Sequence, residues 1–586
     1  MCRLHAALQL YPLKGFEVDA LGRWLAYARN DESYRVIKVA ILASYSSDPL
    51  ANAVRVAILR EGFFAEVYEA PYGAFRQDAL STMSGLYTYR PDLVVLALGS
   101  ESLENLPQGP KEISHVEHAL NAQLKDMLGI WTCLTQNLGV PVLQHTFVTP
   151  VNMWGGPGER LEPWSPANFI ENLNQRMRGI APALLHWLDV DRLAKAVGLD
   201  NWHDPRMWHH AKHGFSTRFL SHYTNWFGAA IRGITGRTPK ALILDLDNTL
   251  WGGVIGDDGL EGVQLGPETV EGEAYQAFCR YIRDLGQRGV ILGICSKNDL
   301  ANVVELFEKH PHMPLKYKDF ATVRCNWDDK ATNLLEIAKE LNIDLSAIVF
   351  VDDNPAECEL IRQRLPMVRV IQLDGDPASF IQNVDKHCYF HAQRFLKEDF
   401  KRTESYQGLA QTKILKGKSA NLNVYLKSLE MKGKVEKVTE VHLPRLAQME
   451  LKTNQFNMST RRLTVEKIRK YASSSDHVVL AVFMIDRFTD HGLVAYVNAE
   501  IKKEELVIKD FIMSCRVFSR TLEFYALKSL LKKTSKYKCK ATRFRLKKTE
   551  KNLPFQSFLK NFNIENENTI LISNQILNKR SKTFIN

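Results

Sequence analysis

The hydrophobic pattern changes twice along the chain. In residues 36–235, short apolar runs such as VIKVAILAS, PDLVVLALGS and LGVPVLQHTF alternate with segments of helical spacing such as DPLANAVRVAILREGF and EHALNAQLKDMLGIWTCL. Short apolar runs that end in small residues are typical of buried parallel strands, and their alternation with helices predicts an α/β layer fold. We therefore assign residues 1–235 to a first α/β domain.

The alternation restarts more sharply in residues 236–400. The predicted strands are KALILDLD, VILGICS, AIVFVDD and VRVIQL, and the predicted helices are EAYQAFCRYIRDLGQRG, DLANVVELFEKH and DKATNLLEIAKELNI. Three of these strands end in polar chemistry, at Asp245, Ser296 and Asp352. Because ligands of open parallel sheets bind outside the carboxyl ends of the strands, we expect these side chains to converge on one site.

Residues 401–586 have shorter and more alternating apolar runs. VVLAVFMIDRF, GLVAYVNAEI and LVIKDFIMSC predict consecutive antiparallel strands, and SRTLEFYALKSLLKKT predicts a helix after them. This pattern predicts an α+β domain.

The charge is distributed unevenly between these regions. The chain has a net charge of +10, but residues from Lys401 onward contain 37 Lys and Arg against 17 Asp and Glu, a charge of +20, whereas the first 400 residues contain 39 against 49, a charge of −10. A basic region attached to an acidic body predicts a negatively charged partner, for which nucleic acid and a small acidic carrier protein are both candidates. A solvated Lys-rich surface is the alternative that needs no partner.

Two further observations limit the location of the protein. The chain has no apolar run long enough to span a bilayer, and MCRLHAALQLYPLKGF has a proline and charges where a signal peptide needs an uninterrupted apolar stretch. The nine cysteines are scattered without a CxxC pair, which favours reduced thiols over disulfides or a zinc site. We expect a cytoplasmic protein with no membrane partner.

The stretch ALILDLDNTLWGGVIGDDG carries the first candidate chemistry. Asp245 and Asp247 stand at positions i and i+2, so they point to the same face at the end of a strand. Crowded carboxylates repel each other unless a cation lies between them, and Asp352 and Asp353 add further negative charge at the end of another strand. Oxygen ligands suit Mg²⁺, so the carboxylates predict a magnesium site.

Ser296 and Lys330 add hydrogen-bond donors to these acids. Acids at two strand ends, a hydroxyl at a third and a lysine at a helix start together predict a phosphoryl-transfer site.

The order of these residues resembles the haloacid dehalogenase (HAD) superfamily. The four matching motifs are DLDNT, the serine after ILGIC, the lysine in NWDDKATN, and VFVDDNPAE. The resemblance implies that Asp245 is the nucleophile and Asp247 the general acid/base. It also implies phosphate contacts from Thr249, Ser296 and Lys330, and metal ligands from Asp245, Asp247, Asp352 and Asp353. Only 33 residues separate Ser296 from Lys330, which leaves no room for a cap domain.

Longer segments resemble the FkbH-like family within that superfamily. They include LDLDNTLWGGVIGDDG, ICSKND, LKTNQFNMSTRRLT, DRFTDHGLVAYV and FIMSCRVFSRTLEF. The resemblance implies an SGNH-hydrolase-like domain over 1–235, a capless Rossmann-like HAD domain over 236–400 and an acetyltransferase-like (GNAT) domain over 401–586.

The same resemblance implies an activity. Such a bacterial, Mg²⁺-dependent enzyme takes 1,3-bisphosphoglycerate or a similar acyl phosphate, removes phosphate and transfers the glyceryl group to the thiol of an acyl carrier protein with a phosphopantetheine arm. Related proteins occur in polyketide and surface-polysaccharide biosynthesis. A carrier protein accounts for the basic third, so we expect no nucleic-acid partner.

Two cysteines are candidates to hold the acyl group as a thioester. Cys295 directly precedes Ser296, which predicts a position at the mouth of the site, although a strand cysteine that alternates away into the core is an equal alternative. Cys515 lies beside Arg516, whose positive charge would favour a thiolate, and a core thiol is its alternative.

The third domain departs from the acetyltransferase pattern. The R-x-x-G-x-G/A turn that holds the coenzyme A pyrophosphate has Ser519 and Thr521 at its glycine positions, after Arg516, and Thr489 and Leu559 are further departures. These changes favour a docking surface for a phosphopantetheine arm over a working acetyltransferase.

The first domain offers only fragments of a hydrolase triad. Ser44 or Ser46, with Asp200 and His203, could form one, but clear Gly and Asn blocks between them are lacking, which favours a degenerate domain.

Two other functions compete with glyceryl transfer. One is a plain Mg²⁺ phosphatase that acts on a phosphorylated sugar or a polysaccharide precursor. The other is a non-catalytic adaptor for an acidic carrier, which the intact acids and Lys330 argue against.

Overall fold

The computed structural model describes Leu4, Leu8, residues 12–30, 34–107, 109–150, 155–395, 397–400, Tyr406, Gly408, 422–518, 520–562, 569–580 and 583–585. Ser519 therefore lies outside the described residues. The chain divides into two compact units, of which the first is Met1–Thr235 with Lys386–Gln393 and the second is Gly236–Asp385 with Arg394–Asn586. No helix among the described residues is both long and apolar enough to cross a membrane.

The first unit contains a five-stranded parallel sheet in the order β2-β1-β3-β4-β5. Its strands are β1 Val36–Ala43, β2 Phe64–Glu69, β3 Leu93–Ala97, β4 Val142–His145 and β5 Leu185–Leu188. All residues of β3 and β4 are buried, as strands covered on both faces require.

Helices cover both faces of this sheet. They are α1 Gly15–Tyr27, α2 Asp48–Arg60, α3 Phe75–Leu80, α4 Gly85–Tyr89, α5 Ile113–Leu138, α6 Pro166–Ile180, α7 Val190–Val197, α8 Leu199–Trp202, α9 Pro205–Ala211 and α10 Leu220–Thr235. The predicted α/β layer fold is confirmed, because alternate strand residues enter two separate hydrophobic clusters, one on each face of the sheet.

The second unit begins with another five-stranded parallel sheet, in the order β10-β9-β6-β7-β8. Its strands are β6 Ala241–Leu244, β7 Ile291–Ser296, β8 Phe320–Cys325, β9 Ile348–Asp352 and β10 Arg369–Gln372. The chain moves from β6 to one side through β7 and β8, then returns to β9 and β10 on the other. The carboxyl end of β6 is thus the point where the strand order reverses, which is where ligands of such sheets bind.

The helices that accompany this sheet are α11 Ile255–Gly262, α12 Val270–Gln287, α13 Leu300–Lys309, α14 Lys330–Leu341, α15 Pro355–Arg364, α16 Phe380–Asp385 and α17 Lys397–Phe400. The stretch between Leu244 and α12 contains only α11 and two isolated bridges, a parallel one between Asp247 and Trp251 and an antiparallel one between Gly252 and Gln264. Within residues 236–395, which are all described, no cap domain is inserted.

A six-stranded sheet in sequential order forms the rest of the second unit. Its strands are β11 Lys432–Lys437, β12 His477–Ile485, β13 Asp490–Lys502, β14 Glu505–Met513, β15 Ala541–Arg545 and β16 Thr569–Ser573. The predicted antiparallel run β12 to β14 is confirmed, and β14 and β15 are the one parallel pair of this sheet. Its helices are α18 Leu422–Ser428, α19 Leu443–Lys452, α20 Val465–Ser473, α21 Leu522–Thr534, α22 Leu553–Lys560 and α23 Asn574–Arg580.

Candidate active site

Lys330 connects the ends of two neighbouring strands. It is the first residue of α14, where Asp329 caps the helix by accepting a hydrogen bond from the backbone of Thr332. The Lys330 ammonium nitrogen lies 2.9 Å from Asp245, which follows β6, and 2.6 Å from Asp352, which ends β9. The three side chains are almost completely buried. Burial opposes the charged form of Lys330, but the two carboxylates outweigh it and raise the pKa of the lysine.

Asp353 joins the same group from the next position in the chain. Its Oδ1 accepts a hydrogen bond from Thr249 Oγ1 at 3.3 Å, while Asp352 Oδ1 accepts one from Asn354 N at 2.8 Å. Thr249 is fully buried, so it anchors Asp353 rather than reaching into solvent.

The three acids have the composition of a divalent cation site. Asp245, Asp352 and Asp353 each offer an oxygen, and these oxygens lie within 4.8 Å of one another. Burial and repulsion from Asp245 raise the pKa values of Asp352 and Asp353, and Lys330 supplies only one positive charge against three carboxylates. Among the described residues, Asp245 Oδ1 has no hydrogen-bond partner although it is buried. An oxygen-liganded cation such as Mg²⁺ fits this unmet acceptor and this excess of negative charge.

The Asp247 carboxylate accepts hydrogen bonds from three nitrogen donors. Its Oδ1 accepts from Trp251 Nε1 at 2.8 Å and from Ile255 N at 3.1 Å, and its Oδ2 accepts from Asn298 Nδ2 at 2.8 Å. Burial raises its pKa in spite of these donors, which favours a group that can hold a proton.

The sequence did not point to Trp251 and Asn298, because each looks like an ordinary residue of a motif. The position of Asn298, two residues after the strand-end Ser296, was the only available indication that its amide could reach the site.

Ser296 ends β7 beside Cys325, the last residue of the neighbouring strand β8. The Ser296 side chain is buried, as the predicted phosphate donor would be when it lines the floor of a site. Cys325 is half-buried, and burial together with repulsion from Asp245 and Asp247 raises its pKa to about 12. Asp245 and Asp247 therefore both disfavour a Cys325 thiolate, and Cys325 was not predicted to lie here because β8 was not predicted.

The expected position of Cys295 at the mouth of the site is corrected. Cys295 is fully buried in the core beneath the sheet, where its Sγ lies 3.8 Å from the carbonyl oxygen of Lys330. The alternation of side chains along β7 turns it to the face opposite Ser296. Burial raises the pKa of its thiol, so Cys295 is a poor nucleophile.

Cys515 is half-buried in a short turn after β14. No contact among the described residues joins it to the acidic cluster. Nearby, Thr521 has a left-handed backbone with φ of 62°, and Leu559 is buried in the core, where an apolar side chain packs without a hydroxyl partner.

The candidate triad residues of the first unit are not connected to one another by hydrogen bonds in the described part of the chain. Ser44 Oγ donates to Glu101 at 2.6 Å and accepts from Gly99 N at 2.9 Å. Ser46 pairs through its backbone with the segment at His213, and Asp200 lies in the short helix α8 that precedes His203.

Similarity to known proteins agrees with the site geometry. Residues 240–398 match the family model of the NLI interacting factor-like phosphatases. A crystal structure of the N-terminal part of the protein BF1531 from Bacteroides fragilis, which contains a phosphatase domain complexed with Mg, is 26% identical, with a TM-score of 0.59, 65% of this chain covered and 100% of that chain covered. The chain thus contains a HAD-like phosphatase domain.

Similarity to acetyltransferase structures and to curated proteins is weaker or absent. The PaiA N-acetyltransferase from Thermoplasma acidophilum, solved with coenzyme A, is 12% identical with a TM-score of 0.19, over 24% of this chain and 97% of that chain. No curated protein is significantly similar to the chain.

Proposed function

We propose that the protein is a Mg²⁺-dependent HAD-type enzyme that transfers the glyceryl group of 1,3-bisphosphoglycerate, or a similar acyl phosphate, to the thiol of an acyl carrier protein. The observation that carries the phosphoryl chemistry is the buried cluster of Asp245, Asp352 and Lys330, in which one oxygen of Asp245 has no partner among the described residues. The FkbH-like motifs support the choice of acyl group and acceptor.

The proposed metal ligands are Asp245, Asp352 and Asp353, whose oxygens lie within 4.8 Å of one another. The HAD resemblance adds the backbone carbonyl of Asp247. When bound, Mg²⁺ would neutralise the carboxylates and polarise a phosphoryl oxygen. The solved structure of the similar Bacteroides protein contains Mg, which supports this choice of ion.

The chain's own residues have separate roles in breaking a phosphate ester. Asp245 attacks phosphorus with its carboxylate oxygen, and the bond from phosphorus to the ester oxygen breaks with its electron pair on that oxygen. Asp247 gives a proton to the departing oxygen, and water later releases the phosphoryl group from Asp245. Lys330 has three N–H donors, of which two face Asp245 and Asp352, so the third can contact the phosphoryl group.

The transfer step uses the activation of the acyl phosphate. The carrier thiol sulfur attacks the carbonyl carbon, the bond from that carbon to the phosphate oxygen breaks, and phosphate leaves with the electron pair and the thiol proton. The products are a glyceryl thioester and inorganic phosphate, and the phosphate ester at the other end of the substrate is removed by hydrolysis.

The thiol environment supports direct transfer to the carrier over an enzyme-bound thioester. Cys295 is buried in the core, and the pKa of Cys325 is raised to about 12 beside Asp245 and Asp247. Neither thiol readily forms the thiolate that attacks a carbonyl carbon. In direct transfer the pantetheine thiol of the carrier is itself the nucleophile, so no cysteine of the enzyme is required.

Exposed lysines support an acidic partner for the C-terminal region. Lys532 and Lys533 end α21, and Lys536 and Lys538 lie in the turn that follows, all exposed to solvent. Positive side chains in one short segment are suited to the negative surface of a carrier protein.

The test is to incubate the protein with 1,3-bisphosphoglycerate, Mg²⁺ and a phosphopantetheine-bearing carrier, and to measure both phosphate release and the intact mass of the carrier. We expect a glyceryl adduct on the carrier that persists in the Cys295→Ala, Cys515→Ala double variant. Loss of loading in that variant, with an adduct on the native enzyme, would restore an enzyme-bound thioester.

A plain phosphatase that acts on a sugar or polysaccharide precursor is the second candidate. It is favoured by the same cluster together with Asp247, which supply a nucleophile, cation ligands and a proton donor for ester hydrolysis without any thiol. Phosphate release without any carrier adduct, over a panel of carriers, would select this function.

A further inference from the structure

We propose that Trp251 and Asn298 are positioning residues that fix the Asp247 carboxyl group for proton transfer, and thereby determine whether the site can cleave esters of poorly departing alcohols. The inference rests on the proposed role of Asp247 as the proton donor. It assigns a task to two residues that lie within the quoted segments LDLDNTLWGGVIGDDG and ICSKND but received no role from the sequence.

The two residues grip Asp247 from different loops. Trp251 donates to Oδ1 from the segment after β6, and the backbone of Ile255 adds a second donor to the same oxygen. Asn298 donates to Oδ2 from the loop after β7. Hydrogen bonds to both oxygens from two separate loops restrict the orientation of the carboxyl group.

Both donors are themselves fixed. Trp251 is fully buried, and its ring packs edge-on against Phe307 with centroids 6.0 Å apart. Asn298 is also buried, and its Oδ1 accepts a hydrogen bond from Asp299 N at 3.0 Å. Because its oxygen faces a backbone donor, the amide must turn its nitrogen to Asp247, so the orientation of the amide is determined by its partners.

Asp245 and Asp247 differ in how many of their carboxylate oxygens have hydrogen-bond partners. Asp245 keeps one buried oxygen without a partner among the described residues, as a group that must form a new bond requires. Asp247 has donors on both oxygens and needs only to present a proton in a defined direction. Geometry thus separates the nucleophile from the proton donor.

A positioned proton donor matters most when the leaving group is basic. An alkyl phosphate expels an alkoxide, which needs a proton in the transition state, and general acid catalysis contributes about 10²- to 10⁴-fold. An acyl phosphate expels a stable carboxylate and needs little help. Loss of the hydrogen bonds to Asp247 should therefore slow the hydrolysis of alkyl phosphates and leave the hydrolysis of acyl phosphates nearly unchanged.

The experiment compares hydrolysis of glycerol 3-phosphate and acetyl phosphate at saturating Mg²⁺. The variants are Trp251→Phe, which keeps most of the ring but removes the N–H, and Asn298→Asp, which keeps the contact with Asp299 but removes the donor. We expect kcat for glycerol 3-phosphate to fall about 100-fold and kcat for acetyl phosphate to fall less than about 5-fold, with KM little changed.

The matched control is Asn342→Asp. Asn342 ends α14 in a left-handed conformation that aspartate also tolerates. The helix has 12 residues and is about 18 Å long, so this change lies far from Lys330. The control should keep both activities. The ratio of the two activities in one sample does not depend on the folded fraction, so a partly unfolded variant still gives an answer.

The outcomes separate this inference from the role on which it rests. Equal losses with both substrates, or no loss in either variant while Asp247→Asn loses glycerol 3-phosphate hydrolysis, overturn the positioning role. The positioning role is also overturned if the native protein hydrolyses acetyl phosphate but not glycerol 3-phosphate. Full glycerol 3-phosphate hydrolysis by Asp247→Asn instead removes the proposed proton donor itself.

Discussion

Two clusters of buried charge in the second unit differ in how completely their carboxylates are paired. At the carboxyl end of β6, Asp245 meets Lys330 through one oxygen, and its other oxygen has no partner in the described part of the chain. On β14, Asp510 is fully buried but accepts hydrogen bonds from Ser459 at 2.8 Å, from Asn498 on β13 at 3.0 Å and from two nitrogens of Arg461 at 3.2 and 2.6 Å.

The difference shows what distinguishes a site from a structural network. Burial of a carboxylate is costly, and the fold compensates this cost for Asp510 with a complete set of donors. For Asp245 the cost is left partly uncompensated among the described residues, and a bound cation or substrate would supply the missing contact. Four predictions test this comparison.

The largest effect is expected for Asp245→Asn. An amide cannot attack phosphorus and brings a neutral ligand to a cation, so phosphate release should fall at least about 1,000-fold. The thermal unfolding midpoint should stay the same or rise, because one of three crowded acids is removed. Phosphate release and thermal unfolding of the same preparation measure both. Full activity of the variant, or of the native protein after chelation of Mg²⁺, contradicts the HAD mechanism.

Asp510→Asn should act in the opposite sense. The variant leaves the buried part of Arg461 without its carboxylate, and we expect the free energy of unfolding to fall by about 2 kcal/mol, since Arg461 is partly exposed and can reach water. Urea titration measures the loss. The kcat for phosphate release by the folded variant should not change, and a change in kcat would give this network a part in catalysis.

The pH dependence of stability offers a third test, through Glu450 in the network around Asp510. It is fully buried beside Asp510, it accepts a hydrogen bond from Tyr496, and burial followed by repulsion from Asp510 raises its pKa from 4.5 to about 7. The folded state therefore prefers protonated Glu450. The stability that this proton contributes is present in full below pH 4.5 and is lost as the pH rises through about 7.

Glu450→Gln should remove this dependence. Between about pH 5 and about pH 8, the native protein should lose up to about 3 kcal/mol more of its free energy of unfolding than the variant. Urea titrations at both pH values, with the exposed Glu504→Gln as the control, provide the measurement. Parallel losses in native protein and variant would mean that Glu450 is ionised throughout.

The smallest structural effect is expected for the exposed lysines. Reversing the charges of Lys532, Lys533, Lys536 and Lys538 should change the free energy of unfolding by less than about 1 kcal/mol, because solvent screens surface charges. Carrier loading should fall about tenfold at low salt and should converge with that of the native protein as salt is added. Unchanged loading at low salt reduces this segment to a solvated face.

Sequence patterns were sufficient to predict a strand where it is buried on both faces of its sheet. The runs that became β6, β7 and β9 are continuous and apolar, because helices cover both sides of a parallel sheet. The strand β8 was missed because its second half is only partly buried, and β11 has lysines along an exposed edge. Such strands lack the apolar run on which the prediction depended.

The site followed the same rule. The acids and Lys330 were predicted because charged residues after apolar runs are unusual, and the order of the motifs specified their chemistry. The contacts of Trp251 and Asn298 with Asp247 could not be predicted, since they depend on how two loops approach each other in space. Cys295 was the opposite case, in which adjacency in sequence suggested a position that strand alternation forbids.

The two ion pairs of Lys330 affect whether its amine can be acylated. Acyl phosphates acylate amines, and an amine reacts only through a free electron pair. The Lys330 nitrogen lies within 2.9 Å of one carboxylate and 2.6 Å of another, so its electron pair stays bonded to a proton. In the proposed reaction with an acyl phosphate, Lys330 beside these acids is therefore protected from becoming the acyl acceptor.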